Sequence, residues 1–279
     1  MMQPSDITHL GPESLVFGTA GLTAMHSYRA ALALLAEAEA SGIRHFDTAP
    51  LYGKGYAEWI LGRYLARSGS RALVTSKFGL GRCPKPRLHP LLALPLNHLR
   101  KAGRRSGSGP GIETPAIPRL PYRRITVGQV SGSLQESLDR LGRKRIDVYL
   151  LHEGLPSFLD ADALDFLRRK QSEGVVGMLG VGTDAGVLAA ATGEDFSPFD
   201  VLQYAAGPHV AALRERHPGK LHFLHGCFRN QVGSPGTGSG LSSPLGYWAE
   251  RNPGGKLLFF SSRLSAIREN AGSHGTLSH

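Results

Sequence analysis

Four side chains in this sequence have the types and spacing for proton transfer to a carbonyl oxygen. Asp47 lies near the end of a short apolar run, 43–48, and Tyr52 follows five positions later in a turn that closes at Gly53. Lys77 lies near the end of a second run, 72–78, and His152 follows a third, 146–151. A phenol has a reference pKa of about 10, too high for an effective donor at neutral pH. A close ammonium favours the phenolate and lowers that value. A carboxylate keeps the ammonium charged and oriented, and a neutral imidazole orients a carbonyl beside the phenol. Such a group donates a proton to oxygen as hydride arrives at carbon. Taken singly, each residue has a plainer reading. An aspartate at a strand end forms a turn, a loop tyrosine packs, a lysine after a strand is solvated, and a histidine satisfies a local hydrogen bond. The four in order, each at or beside a strand end, carry the chemical reading.

The elements that must position them follow from periodicity. Residues 15–20 form an apolar run closed by Gly21, which reads as a buried strand. Ser27 as N-cap, an alanine- and leucine-rich run to Ala40 and Gly42 at the C′ position predict a helix. The Asp47 run is the second strand, 56–67 a helix, and the Lys77 run the third strand. An irregular stretch then spans 79–124, with a short helix candidate at 91–99. Residues 126–141 are amphipathic, with Val130, Leu134, Leu138 and Leu141 on one face. The remaining strands are expected at 146–151, 176–181, 201–204, 221–228 and 256–260. Helices are expected at 161–172, 185–191, 210–216, 245–251 and 266–270, with a glycine- and serine-rich loop at 232–240.

Alternation of this kind implies parallel strands with helical crossovers. Eight such units in 279 residues fit one α/β domain, a (β/α)8 or TIM barrel, with a long irregular insert at about 80–125. A doubly wound open sheet is the alternative. Its first strand-to-helix turn usually spells G-x-G-x-x-G, and Gly18-Thr19-Ala20-Gly21-Leu22 does not. In a barrel, sites form at the C-terminal strand ends, where the four residues stand.

Composition narrows the partners. The formal net charge of +10 suits solubility and attraction of an anionic cofactor or substrate. The basic residues follow no nucleic-acid-binding motif, so no nucleic acid partner is expected. Cys83 and Cys227 make neither a disulfide framework nor a zinc site. His209, His217, His222 and His225 lack ligand spacing, so no metal is expected. No signal peptide pattern opens the chain and no apolar stretch is long enough for a membrane span, so a cytoplasmic setting is expected.

On these motifs the chain resembles the aldo-keto reductases. The carriers are Gly42 to Gly53, with its Asp-Thr-Ala-x-x-Tyr-Gly core, Thr75-Ser76-Lys77, and Tyr149-Leu150-Leu151-His152. Ser133 to Asp147, with Arg-Leu-Gly and Ile-Asp-Val, matches as well. The resemblance covers nearly the whole chain, with the motifs in family order. It implies that Tyr52 is the general acid/base, Lys77 lowers its pKa, Asp47 holds the lysine and His152 orients the substrate carbonyl. It implies NADPH/NADP+ as cofactor and a small-molecule carbonyl or sugar as substrate. Ser261 and Arg263 would hold the 2′-phosphate and Asn270 would meet the adenine, with Ser262 and Glu269 in the same cofactor-binding segment. Gly18, Thr19, Asp47, Thr183 and Gln203 would also bind the cofactor, Gln203 at the carboxamide.

Three departures are visible. Gly180-Val181-Gly182-Thr183-Asp184 stands where many members carry Gly-x-Ser-Asn, which leaves Thr183 as the substitute. His225-Gly226 stands where many place a stacking aromatic, and Ala266 where an additional arginine often sits. Looser cofactor binding than in a typical member is expected. An NADP(H)-sensing regulatory protein of low turnover is the second functional reading. The arginine-rich stretch 81–124 reads equally as a substrate lid or a solvated loop.

Overall fold

The computed structural model describes residues 12–80, 88–89, 91–96, 124–228 and 244–275. Its strands are β1 (Leu15–Gly18), β2 (His45–Asp47), β3 (Leu73–Phe78) and β4 (Ile146–His152), then β5 (Val176–Gly182), β6 (Val201–Ala205), β7 (Leu221–His225) and β8 (Lys256–Phe259). Between them run α1 (Tyr28–Ala40), α2 (Tyr56–Ser68), α3 (Val127–Leu141) and α4 (Ala161–Ser172). The second half adds α5 (Ala185–Ala190), α6 (Val210–Arg216), α7 (Pro244–Arg251) and α8 (Leu264–Gly275). Every strand pairs in parallel with its sequence neighbours, and β8 returns to β1, so the sheet closes into an eight-stranded barrel.

Side chains alternate between the two faces of each strand. Val16, Val148, Leu150, Val201, Phe223 and Leu258 point inward and fill the barrel. Their neighbours point outward under the helices. Phe17, for example, meets Phe46 and Phe259 edge-on at 6.4 and 5.8 Å. The two apolar sets form separate clusters, a plug inside the sheet and a larger layer around it.

Local chemistry sets the helix ends. Ser27 Oγ accepts the Ala30 N–H at 3.1 Å, and Gly42 turns at φ 89° just past α1. Thr126 opens α3, with its N–H donated to Gln129 Oε1 at 2.9 Å. Gly142 closes that helix at φ 62°, and Gly174 follows α4 at φ 75°.

Several boundaries depart from the sequence reading, and β2 keeps only His45–Asp47 of the expected 43–48. β1 stops at Gly18 because a 3-10 turn, Leu22–Ala24, opens the rim loop. β7 ends at His225, short of residue 228, because Gly226 turns the chain at φ 71°. α8 runs Leu264–Gly275, longer than expected on both sides. Residues 91–96 are helical, while the remainder of the 91–99 candidate lies outside the described residues. So do Cys83, the 232–240 loop and most of the 80–125 insert.

Candidate active site

The register places Asp47 at the end of β2, beside Thr75 of β3, and Lys77 one pleat higher beside Leu150. His152 ends β4 opposite Gly182. Three neighbouring strands therefore bring an acid, a lysine and an imidazole to one sector of the rim. Tyr52 reaches the same sector from the β2–α2 loop. That loop turns through Gly53 at φ 60°, and a Cβ there would come within 2.3 Å of Thr23 Cγ2. Only glycine meets both demands at that position. Ala57 N–H then donates to the Tyr52 carbonyl at 3.2 Å and ties the loop to α2.

Lys77 is the hub. Its Nζ donates to Asp47 Oδ1 at 2.6 Å, to the Thr48 carbonyl at 3.1 Å and to Tyr52 Oη at 3.4 Å. Both members of the Lys77–Asp47 pair are buried. The Tyr52 ring stands perpendicular to His152, with ring centres 6.2 Å apart. The second oxygen of Asp47 is also taken. Gln203 reaches across from β6 and donates its Nε2 to Asp47 Oδ2 at 2.8 Å.

These contacts set the protonation states. Burial works against the Lys77 charge, but Asp47 and Tyr52 outweigh it and hold the ammonium above its ordinary value. Burial pushes His152 down to about 3, helped by Lys77 and His225, so the imidazole is neutral at physiological pH. Tyr52 departs from the simple expectation. Lys77 does pull the phenol down, as the sequence predicts, but burial raises it more and the Asp47 charge adds to that. The net direction is up, which leaves a firmly protonated phenol beside a fixed ammonium. Such a phenol acts as an acid when charge develops on an oxygen facing it.

The aldo/keto reductase family model matches residues 14–221, which takes in β1 through the start of β7 and all four residues. The chain belongs to the aldo/keto reductase family. It is similar to the D-threo-aldose 1-dehydrogenase of a Pseudomonas species, 32% identical over 162 residues, 55% of this chain and 44% of that protein. It is also similar to the pyridoxal 4-dehydrogenase of Microbacterium luteolum, 34% identical over 156 residues, 52% of this chain and 41% of that protein. The match thus spans less than half the length of either relative. The fold resembles that of a Bombyx mori aldo-keto reductase solved in complex with NADP, at TM-score 0.56 and 19% identity over 92% of this chain and 82% of that one. None of the described helices is long and apolar enough to cross a membrane.

The other rim residues of the chain divide into two groups. Gly18 pairs with Asp47, and Thr19 N–H donates to the Asp47 carbonyl at 2.9 Å. Thr183 is buried beside Gln203, to whose carbonyl its N–H donates at 3.0 Å. Thr19 Oγ1 and Thr48 Oγ1 are buried with no hydrogen-bond partner among the described residues. The second group sits between β8 and α8. Ser261 Oγ accepts the Arg263 N–H at 3.1 Å, while Ser262 and Arg263 are exposed. Arg263 makes no ion pair among the described residues. The exposed Ser262 hydroxyl, a guanidinium with no ion pair among the described residues and the first turn of a 12-residue helix are donors of the kind a phosphate takes. Glu269 is exposed and Asn270 half-buried on the same helix.

Two features of the site carry no sequence signal. Gln203 is separated from Asp47 by 156 positions, so their bond is invisible in one dimension. Glu153 follows His152 in a left-handed conformation, φ 54°, and bonds its N–H to the Gly182 carbonyl at 2.7 Å. Burial and the charge of Asp184 raise its carboxyl above the ordinary range.

Proposed function

We propose that this aldo/keto reductase interconverts a carbonyl compound and its alcohol, or oxidises a sugar at its anomeric carbon, with NADP(H) as hydride partner and Tyr52 as general acid/base. The observation that carries this reading is Lys77 Nζ bonded at once to Asp47 and Tyr52, with neutral His152 against the same phenol. NADPH, when bound, supplies the hydride.

The chain's own residues do the rest. His152 donates a hydrogen bond that orients the substrate oxygen towards Tyr52 Oη. Tyr52 passes its proton to that oxygen as negative charge grows there. Lys77 stabilises the phenolate left behind, and Asp47 keeps Lys77 charged. Gln203 holds Asp47 by its amide nitrogen and leaves Oε1 for a carboxamide. Gly18, Thr19 and Thr183 line the same end. Ser261, Ser262 and Arg263 would hold the 2′-phosphate, and Glu269 and Asn270 would serve the adenine end. The two curated relatives are named for an aldose and for pyridoxal, which supports a small polar carbonyl or sugar substrate.

The test is turnover of the purified protein with NADPH or NADP+ against a panel of aldehydes, aldoses and pyridoxal, followed by nicotinamide absorbance. Tyr52→Phe should abolish turnover and leave NADPH binding, read by fluorescence, nearly intact. Full turnover by that variant would overturn the mechanism. Binding of NADPH by the wild type without turnover on any member of the panel would favour the sensing role instead. The complete Lys77, Tyr52 and His152 arrangement supports the enzyme.

A further inference from the structure

Behind the catalytic face lies a second polar cluster, wholly outside the barrel. Ser76 precedes Lys77 on β3 and therefore points the opposite way, towards the helices. Its Oγ donates to Glu58 Oε1 at 2.6 Å. Glu58 stands in the first turn of α2, six positions after Tyr52. Its other oxygen, Oε2, accepts Arg140 Nε of α3 at 2.6 Å. Ser76 and Glu58 are fully buried and Arg140 is 6% exposed. One turn further along α2, Gly62 lets the helices close. A Cβ there would meet the Arg140 and Leu141 carbonyl oxygens at 2.6 Å. Glu58 and Gly62 lie on one face of α2, so the close approach and the ion pair are one design.

We propose that the Ser76–Glu58–Arg140 bridge is a positioning device that fixes Lys77 against Tyr52. It rests on the roles given to those two residues above. The ion pair that joins α2 to α3 needs only the glutamate and the arginine. The Ser76 hydroxyl adds nothing to that helix pair, but it ties α2, and so the Tyr52 loop, to the strand residue next to Lys77. A buried ion pair is in any case a poor source of net stability, because desolvation offsets its attraction. The contact it governs has little tolerance. Lys77 Nζ and Tyr52 Oη are 3.4 Å apart, near the outer limit of a hydrogen bond. A further drift of about half an ångström would end it.

Glu58→Ala would strand a buried arginine and is a poor probe. Ser76→Ala leaves the Glu58–Arg140 pair whole. Ser133→Ala is the control, since Ser133 is buried on α3 and, among the described residues, accepts only the Tyr149 hydroxyl, at 3.2 Å. In Ser76→Ala, kcat should fall ~10- to 100-fold with KM nearly unchanged, as misplacement by an ångström or less does. Its kcat–pH profile should shift, and Ser76→Thr, which keeps the hydroxyl, should restore both. A readout independent of turnover is the ¹³C resonance of Tyr52 Cζ, assigned by its loss in Tyr52→Phe. It should move in Ser76→Ala and stay in Ser133→Ala. If Ser76→Ala lowers the melting temperature like the control while kcat, pH profile and the Tyr52 resonance hold, the bridge is structural only and the proposal fails. If the wild type has no turnover, the function proposed above fails, and the resonance alone decides whether the bridge positions Tyr52.

Discussion

Replacing Lys77 by methionine separates the electrostatic from the chemical role of the buried pair. Methionine matches the length of the stem but removes the ammonium, which touches Asp47 Oδ1, the Thr48 carbonyl and Tyr52 Oη. Asp47 then stays 3% exposed, with the Gln203 amide as its remaining side-chain donor in the site. Breaking a buried pair on one side costs about 3–5 kcal/mol, because the surviving charge is left without its partner. That is a large share of the ~5–15 kcal/mol that holds a domain folded. The double variant Lys77→Met/Asp47→Asn removes the orphaned charge and keeps an acceptor for Gln203. It should recover more than half of the loss. Turnover should not recover, since neither variant has a cation at the phenol, and a drop in kcat of ~100- to 10,000-fold is expected in both. Urea unfolding followed by circular dichroism gives the stabilities, and nicotinamide absorbance gives the rates. A single variant as stable as the wild type would refute the buried pair. A double variant that regained turnover along with stability would show that Lys77 serves only the fold.

Three other outcomes are expected. His45 and His152 are both pushed down to about 3, by burial first and by nearby lysines, against an ordinary value of 6.5. The unfolded chain binds protons that the native chain refuses, so stability is full above about pH 6.5 and falls as pH drops towards about 3. The slope is ~1.4 kcal/mol per pH unit for each imidazole, and urea midpoints that stay level from neutrality down to about pH 5 would contradict it. Gly62→Ala should destabilise by ~1–3 kcal/mol through overpacking against two backbone oxygens. Helix propensity alone predicts the opposite sign, so a thermal melt decides between them. Arg263→Ala should raise KM for NADPH by ~10- to 100-fold, the worth of a hydrogen bond to a charged group. It should leave kcat and the KM for NADH alone, and equal loss for both cofactors would remove Arg263 from the phosphate site.

Much of this was legible in the sequence because strands and chemistry coincide. The runs ending near Asp47, Lys77 and His152 are apolar up to the point where the barrel opens, so the change of residue type marks the rim. Helix ends at Ser27, Gly42 and Gly174 were readable for a similar reason, since each residue does something there that few others can. The failures are equally physical. α8 is rich in serine, glycine and charge and shows little amphipathic contrast, so only its middle reads as helix. β7 reads too long in the sequence because the run continues through Cys227 and Phe228, while the turn at Gly226 is a matter of φ. Glu58 reads as an ordinary charge on a helix surface, and its burial depends on Arg140, 82 positions away. The raised phenol of Tyr52 was missed because the sequence names the lysine beside it and says nothing of how much water is lost.

The hydrogen bond from Gln203 to Asp47 has a consequence for how such a chain can change. The residues proposed to move the proton all lie between Asp47 and His152, on β2 to β4 and one loop. Apart from Gly18, Thr19 and Asp47, those proposed to grip the dinucleotide come after β5, and so do all three departures at Thr183, His225 and Ala266. On that proposal the two half-barrels have different trades, and besides the strand ladders a side-chain amide links them at the site. Mutational drift or grafting in the second half can alter what is gripped, and how tightly, without rewriting the proton path. The condition is that position 203 still reaches Asp47. A chimera joined between β4 and α4 is the natural unit of exchange, and the proposed proton chemistry would be inherited with the first half of the chain.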